Sequence, residues 1–331
     1  MEIAFCTFVS LSHYGGIEIW IIELAKLLAQ RGHKIRIYTP PYSRGERKVK
    51  PETVLSGIPY QEAWHNKVEA DVAYIMYYSP LLWRMLFSVK CPRIAGIHAA
   101  GLLHNKYSLR HQLFRMMGSQ DLASFGAVHT ISRAFQFEHA KVFHIPIGID
   151  GEAFRPQVKE VDKFTLLFVG RRHRERGWDT FLEVAFNLKA QGYDFDFIAT
   201  GQQNELVRGL GSVSHEDMPE VCSRAHMLVH PSKADVFSRA ILEMLSCGLP
   251  VVTTPIEAHT SMGLPLFYAQ TPTEFIQQTL KIYEGWRYDS KWYQELRYSL
   301  RESVLRYDIN GIFPQLESMF ESVASRGRTV K

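Results

Sequence analysis

"MEIAFCTFVSLSHYGGIEIWIIELAKLLAQRGHKIRIYTP", residues 1–40, decides how the chain is read. The run "IAFCTF" is apolar and the right length for one buried strand. "SLSHYGG" has the composition of a loop. In "IEIWIIELAKLLAQRG" apolar side chains recur at Ile17, Ile21, Leu24 and Leu28, the spacing of one helix face, and Gly32 sits where a helix stops. "HKIRIYTP" then reads as a second strand. Strand, helix, strand is a βαβ unit, which implies a parallel sheet.

The alternation continues outward from this unit. Val72–Met76, Ile94–Ile97, Ala127–Ile131 and Val142–Pro146 are predicted strands, with helical patterns between several of them. "GIDGEAFRP" (148–156) gathers Gly, Pro and acids into a connector. A second series follows: "FTLLFVG", the helical "WDTFLEVAFNLKAQG", then "DFDFIATG", "AHMLVHPS" and "PVVTT", with helix from about Thr273. The fold class is therefore α/β, with two Rossmann-like parallel-sheet domains, 1–156 and 157–331. Open parallel sheets bind ligands at the carboxyl ends of their strands, and two of them facing one another would form a central cleft.

Composition narrows the function. The chain has 331 residues, enough for two ordinary domains, and is 46% apolar, enough for real cores. No run approaches bilayer-spanning length and the N-terminus lacks a signal-peptide pattern, so a cytoplasmic location is expected. Cys6, Cys91, Cys222 and Cys247 form no CxxC pair and read as reduced thiols. The 14 histidines include no HExxH and no Cys/His ligand spacing, so no metal site is expected. Residues 1–150 hold 17 Lys and Arg against 11 Asp and Glu, while the remainder is slightly acidic. A basic first half suits phosphates or an anionic membrane face; ordinary surface variation is the other reading. The first strand–helix loop, "HYGGIE", is not GxGxxG, which removes the main support for hydride transfer.

Four places carry chemistry. Gly15 and Gly16 sit at a strand-to-helix turn: either they let a ligand approach a helix start that favours anions, or they serve a tight turn needing positive φ. In "FVGRRHRERGWD" (168–179) Arg171, Arg172, Arg174 and Arg176 crowd the end of a strand, where their forks match diphosphate oxygens; a solvated basic loop is the plain alternative. "GIHAAG" (96–101) places His98 at a strand end, as a structural histidine or a functional one. In "ADVFSRAILEML" (234–245) Ser238 suits an N-cap, so Asp235 precedes the helix and Glu243 lies inside it. The two acids are roughly 12 Å apart along a helix, comparable to a nucleotide sugar, and bracket a helix start that could meet a diphosphate. On spacing alone, two solvated acids remain the alternative.

Taken in order, "HYGGIE", "GIHAAG", "HIPIGIDGEAF", "LLFVGRRHRERGWD", "GSVSHEDMPEVCSRAHMLVHPS" and "DVFSRAILEMLSCGLPVVTTP" cover nearly the whole chain. Together they resemble the retaining, GT-B-fold glycosyltransferases of the family-4 type. The last block is the most specific, with acid-x7-acid followed by "CGLPVV". The resemblance implies that Glu243 binds the donor's ribose and that Asp235 lies near the donor sugar. Val236, Phe237 and Ser238 match the segment whose backbone N–H groups hold sugar hydroxyls, and Arg239 and Ala240 the positions that meet phosphate. Arg171 and Arg176 match the pair that clamps the diphosphate, Val213 a backbone contact to the base, Gly16 the glycine loop, and His98 the active-site histidine. Asp235 stands where the family usually has Glu, "DVFS" lacks the glycines of "EGFG", Arg176 replaces Lys, and Ile147 replaces Asn.

What the resemblance implies for activity is sugar transfer from a nucleotide-diphosphate sugar to a glycan or lipid-linked acceptor, with retention and without a metal or other cofactor. The last helix, about 312–326, would pack back on the first domain. No nucleic-acid partner is expected. "HNKYSLRHQLFRMMG" (104–118) interleaves basic and apolar residues, and Lys106, Arg110, Phe114 and Arg115 suit an anionic membrane surface; a helix with its apolar side in the core is the alternative. Such an enzyme would serve polysaccharide or glycolipid synthesis at the cytoplasmic membrane face. The departures at 235–238 keep a second reading open, a nucleotide-sugar binding protein without turnover.

Overall fold

The computed structural model describes residues 1–13, 15–42, 49–98, 120–134, 137, 139–157, 163–170 and 174–325. The chain forms two compact units, Met1–Ile147 together with the chain from Ile312 on, and Gly148–Gly311. "GIDGEAF", read as a connector, packs within the second unit: Ser246 Oγ donates to the Phe154 carbonyl at 2.6 Å, and Arg301 donates to the Gly151 and Phe154 carbonyls at 3.0 Å.

Unit 1 contributes strands β1 (Glu2–Cys6), β2 (Lys34–Thr39), β3 (Tyr60–Glu62), β4 (Asn66–Val68), β5 (Val72–Met76), β6 (Phe87–Val89), β7 (Arg93–Ile97), β8 (Ala127–Thr130) and β9 (Val142–His144). Seven of them form one parallel sheet in the order β3-β2-β1-β5-β7-β8-β9. β4 and β6 pair separately. Every residue of β5 is buried, as expected of a strand covered on both faces. The first helix runs Gly16–Gln30 and stops before Gly32, whose φ of +87° ends it in the left-handed region. The chain returns to this unit through the helix Ile309–Ala324: Phe320 packs edge-on against Phe5 at 5.7 Å, and His33 Nε2 lies 3.0 Å from Glu317.

Unit 2 holds β10 (Thr165–Phe168), β11 (Asp196–Ala199), β12 (Arg208–Gly209), β13 (Met227–His230), β14 (Val251–Thr253) and β15 (Phe267–Tyr268), all parallel, in the order β12-β11-β10-β13-β14-β15. Phe164, Phe168, Phe181, Phe197 and Phe275 anchor its core. Both sheets thus have the expected doubly wound form. The strands absent from the sequence reading, β3, β4, β6, β12 and β15, have two or three residues each, too few to display a period.

Candidate functional site

In each sheet the strand order reverses beside the first strand, at β1/β5 and at β10/β13. Loops at the carboxyl ends of such strands part there and leave room for a ligand. The segments singled out in the sequence follow these strands: Gly15–Gly16 after β1, His98 after β7, Arg176 after β10 and Asp235 after β13.

In unit 2 one glycine sets the geometry. Gly177 has φ +76° and caps the helix Trp178–Ala190; a Cβ there would strike the Pro231 carbonyl. Only glycine lets the turn after β10 lie this close to the loop after β13. The Lys233 N–H closes the same contact on the Glu175 carbonyl at 2.7 Å. Arg176 is thereby delivered to Asp235, and its Nη1 donates to Oδ2 at 2.8 Å. His230 Nε2 and His259 Nε2 face that oxygen at 3.8 and 3.9 Å. Oδ1 accepts from the Val236 N–H at 3.0 Å, so one of the backbone donors expected for a sugar hydroxyl is engaged by Asp235 itself. Burial works to raise the Asp235 pKa, but the facing His230 and His259 and the Arg176 charge prevail and hold the carboxyl well below its usual range. His230 is pushed down to about 4, chiefly by burial.

Ser238 caps the helix Arg239–Ser246, its Oγ accepting from the Ile241 N–H at 3.4 Å. Glu243 is buried one turn in. Arg239 Nε donates to its Oε1 at 2.7 Å, an i,i+4 pair, and His215 Nε2 lies 2.9 Å from the same oxygen. The His215 ring packs on Phe154 at 5.2 Å. Val213 lies in the same loop, half-buried, and Ala240 is half-buried on the first helical turn. Val236 and Phe237 are buried, Phe237 against the Tyr307 ring at 5.8 Å.

In unit 1 the helix start does not fit the tight-turn reading. Neither Gly15 nor Gly16 has positive φ. A tight-turn requirement is therefore not their reason. A Cβ on Gly16 would meet nothing within 4 Å, so the space is open. The Gly15 N–H already donates to Glu18 Oε2 at 2.7 Å, which places a carboxylate of the chain itself where an anion was expected. His98 is buried directly after β7, with the Trp20 ring 4.5 Å from its own.

The structure therefore brings Arg176, Asp235, Val236, Ser238, Arg239 and Glu243 together in one unit and places Gly15, Gly16 and His98 in the other. Arg171 lies outside the described residues, as do Lys106, Arg110, Phe114 and Arg115. His215, His230 and His259 were not singled out from the sequence, although His215 and His230 lie inside quoted blocks. A histidine next to a strand-end acid is the signal that was available. Among the described residues, His230, Asp235 and His259 form the group able to hold a metal ion, with ligand atoms within 4.8 Å of one another. The Arg176 guanidinium already supplies positive charge on the Asp235 oxygen of that group.

Two parallel-sheet domains, each with its strand order reversing beside its first strand, define the class: a protein of the GT-B type. The comparisons give the family. Residues 14–150 match Glycosyltransferase Family 4, and residues 163–285 match Glycosyl transferases group 1. The two matches cover most of the chain, which belongs to these GT-B glycosyltransferases. A phosphatidylinositol N-acetylglucosaminyltransferase subunit from Homo sapiens is 24% identical over 73% of this chain and 59% of its own length. The chain thus spans about three fifths of that relative. Sucrose-phosphate synthase from Thermosynechococcus elongatus superimposes with a TM-score of 0.75 at 16% identity, over 98% of this chain and 100% of the other. Anabaena HepE in complex with UDP-glucose does so with a TM-score of 0.73 at 18% identity, over 97% and 100%.

Proposed function

We propose that the chain transfers a sugar, with retention, from a uridine-diphosphate sugar to a lipid-linked or glycan acceptor, and that no metal takes part. The observation that carries this is the capped helix start at Ser238, with an ionised Asp235 before it and a buried Glu243 behind it. The roles follow from the chemistry available. Glu243, steadied by Arg239, accepts from the two ribose hydroxyls. The N-terminus of the helix Arg239–Ser246 and the Arg176 guanidinium stabilise the leaving diphosphate, which is where charge builds as the glycosidic bond breaks. Arg171 joins them by resemblance. Asp235 holds sugar hydroxyls once Arg176 turns to phosphate. Val213 backs the base. The departing phosphate oxygen takes the acceptor's proton on the same face. HepE supports uridine as the base, since that neighbour is described with UDP-glucose.

The human relative's name points to a phosphatidylinositol acceptor, which favours a lipid here. Unit 1 offers a surface suited to that. Leu81 and Met85, one helical turn apart on Pro80–Leu86, are exposed, as is Trp64, and Arg84 on the same helix pairs with the buried Asp121. His65 ties the Trp64 loop to Met85 through its carbonyl at 3.0 Å. An amphipathic surface of this kind suits a peripheral role at an anionic membrane, together with the segment 104–118. Among the described residues no helix is long and apolar enough to cross a membrane. Co-sedimentation with liposomes that is indifferent to anionic lipid would remove the membrane part of the proposal.

The test of the transferase reading is nucleotide release from a panel of nucleotide sugars, with Glu243→Gln as control. Release of UDP from one donor, lost in the variant, is the expected result. Tight UDP-glucose binding with no turnover, even with inositol lipids present, would establish the alternative, a binding protein.

A further inference from the structure

Two buried histidines face Asp235 within the second unit. His230 ends β13, and His259 sits on the short helix Glu257–Thr260 after β14. One carbonyl fixes the His259 ring. The Thr254 carbonyl only accepts, so His259 Nδ1, 2.9 Å away, carries a proton and donates. The Thr253 hydroxyl gives its own proton to the His230 carbonyl at 2.8 Å and touches the same Nδ1 at 2.9 Å. A neutral ring held this way has its lone pair on Nε2. That nitrogen is buried and has no hydrogen-bond partner among the described residues. It lies 3.9 Å from Asp235 Oδ2, and His230 Nε2 lies 3.8 Å from the same oxygen.

These separations are too long for hydrogen bonds. They suit one metal ion, whose bonds of about 2.0–2.1 Å reach two donors at once. The three ligand atoms lie within 4.8 Å of one another. Drawing them to the roughly 3.4 Å spacing of a tetrahedral site takes side-chain shifts of about 1 Å. Their supports are already in place. A metal-binding histidine ordinarily donates its far ring proton to a carbonyl, as His259 does to Thr254. The Val236 N–H holds Asp235 Oδ1 at 3.0 Å and leaves Oδ2 to face the histidines. Two contacts stand in competition: Ser238 Oγ, 3.2 Å from His230 Nε2, and Arg176 Nη1, 2.8 Å from Oδ2. Arg176 is the more exposed member of its ion pair, so its departure opens the way in. Two imidazoles and one carboxylate suit zinc and its neighbours, whereas magnesium and calcium take oxygen ligands. No ligand spacing announces this group in the sequence, because His259 joins from beyond β14.

We propose that His230 Nε2, Asp235 Oδ2 and His259 Nε2 bind one divalent transition-metal ion of the zinc class, in exchange for Arg176. The ion is an inhibitor and takes no part in transfer. It occupies the carboxylate oxygen assigned above to sugar hydroxyls. The inhibition rests on the transferase reading; the site itself does not.

The site is tested on the intact protein with cobalt(II) as the spectroscopic stand-in for zinc. One ion per chain is expected, with visible d–d absorption that zinc abolishes and magnesium leaves unchanged. Asp235→Asn and His259→Gln are expected to weaken cobalt binding at least about tenfold. Arg176→Gln is expected to tighten it at least about tenfold, since the competing charge is gone. Misfolding cannot produce that gain. No cobalt binding, or binding that both ligand variants keep, overturns the site. Affinity unchanged or weakened in Arg176→Gln overturns the exchange. Saturating zinc is expected to cut UDP release from UDP-glucose at least about tenfold; release unchanged or raised overturns the inhibition. A protein that neither binds nor turns over UDP-glucose counts against the transferase reading and the inhibition together. The cobalt titration still decides the site by itself.

Discussion

Arg176 and Asp235 close on each other at 2.8 Å, joining the turn after β10 to the loop after β13. The proposed phosphate clamp and the proposed sugar-binding acid thus satisfy one another. Arg176 is one-third exposed and Asp235 is more enclosed, at 33% and 12%, so the arginine is the partner free to swing. A donor's diphosphate would draw it away and leave Asp235 for hydroxyls.

Arg176→Ala should therefore do more than remove one charge. We expect kcat for donor hydrolysis to fall about 10²-fold or more, the usual cost of losing one donor to a developing anion. Arg176→Lys should recover part of it, since Lys supplies charge without the bidentate fork. Steady-state UDP release checks both; wild-type kcat in Arg176→Ala would remove Arg176 from the clamp.

Gly177→Ala should be damaging although the side chain is one carbon. The left-handed backbone alone costs a non-glycine residue about 1–2 kcal/mol, and the added carbon meets the Pro231 carbonyl. Urea unfolding should show a loss of at least about 2 kcal/mol. Donor affinity should fall with it, because the same contact delivers Arg176.

Glu243→Gln should cost stability as well as function. Glu243 and Arg239 are nearly enclosed, at 6% and 11% side-chain exposure, so neutralising one leaves the other a buried charge. Breaking such a pair costs about 3–5 kcal/mol. A melting-temperature drop that UDP-glucose no longer rescues is the expected pattern. Unchanged stability would show that His215, already 2.8 Å from Arg239 Nη2, is partner enough.

Acid should destabilise the fold before the carboxylates titrate. His129 and His230 are buried and held near 4 against an ordinary value of 6.5. Between those values the unfolded chain takes up protons that the folded one refuses, so stability falls as pH drops from about 6.5 toward 4 and is flat above. Each fully buried histidine contributes about 3 kcal/mol over that window. His129→Gln should flatten the slope of unfolding free energy against pH; an unaltered slope would mean that His129 is charged in the fold.

The βαβ pattern of residues 1–40, the second series from Phe164 and the acid-x7-acid helix were legible in sequence because each rests on local periods and caps. Ser238 is the N-cap its residue type suggests. Gly177 and Gly96 were not legible. Their neighbours, Pro231 and Tyr74, are distant in sequence, and only packing shows that a Cβ has no room. The positive-φ reading of the Gly15–Gly16 turn failed for a related reason: glycine advertises conformational freedom, and here the φ angles are ordinary.

Two parallel sheets and the family are written along the chain, in its hydrophobic period and in the order of its motifs. What the charged groups do is set by packing. Folding puts Arg176 on Asp235, His215 and Arg239 on Glu243, and His129 behind Tyr74 behind His98. Apart from the i,i+4 pair of Arg239 and Glu243, these contacts join residues of different elements. Hydrogen bonds and ion pairs act over about 3 Å, a separation set by how strands stack in a sheet and invisible to any spacing along the chain.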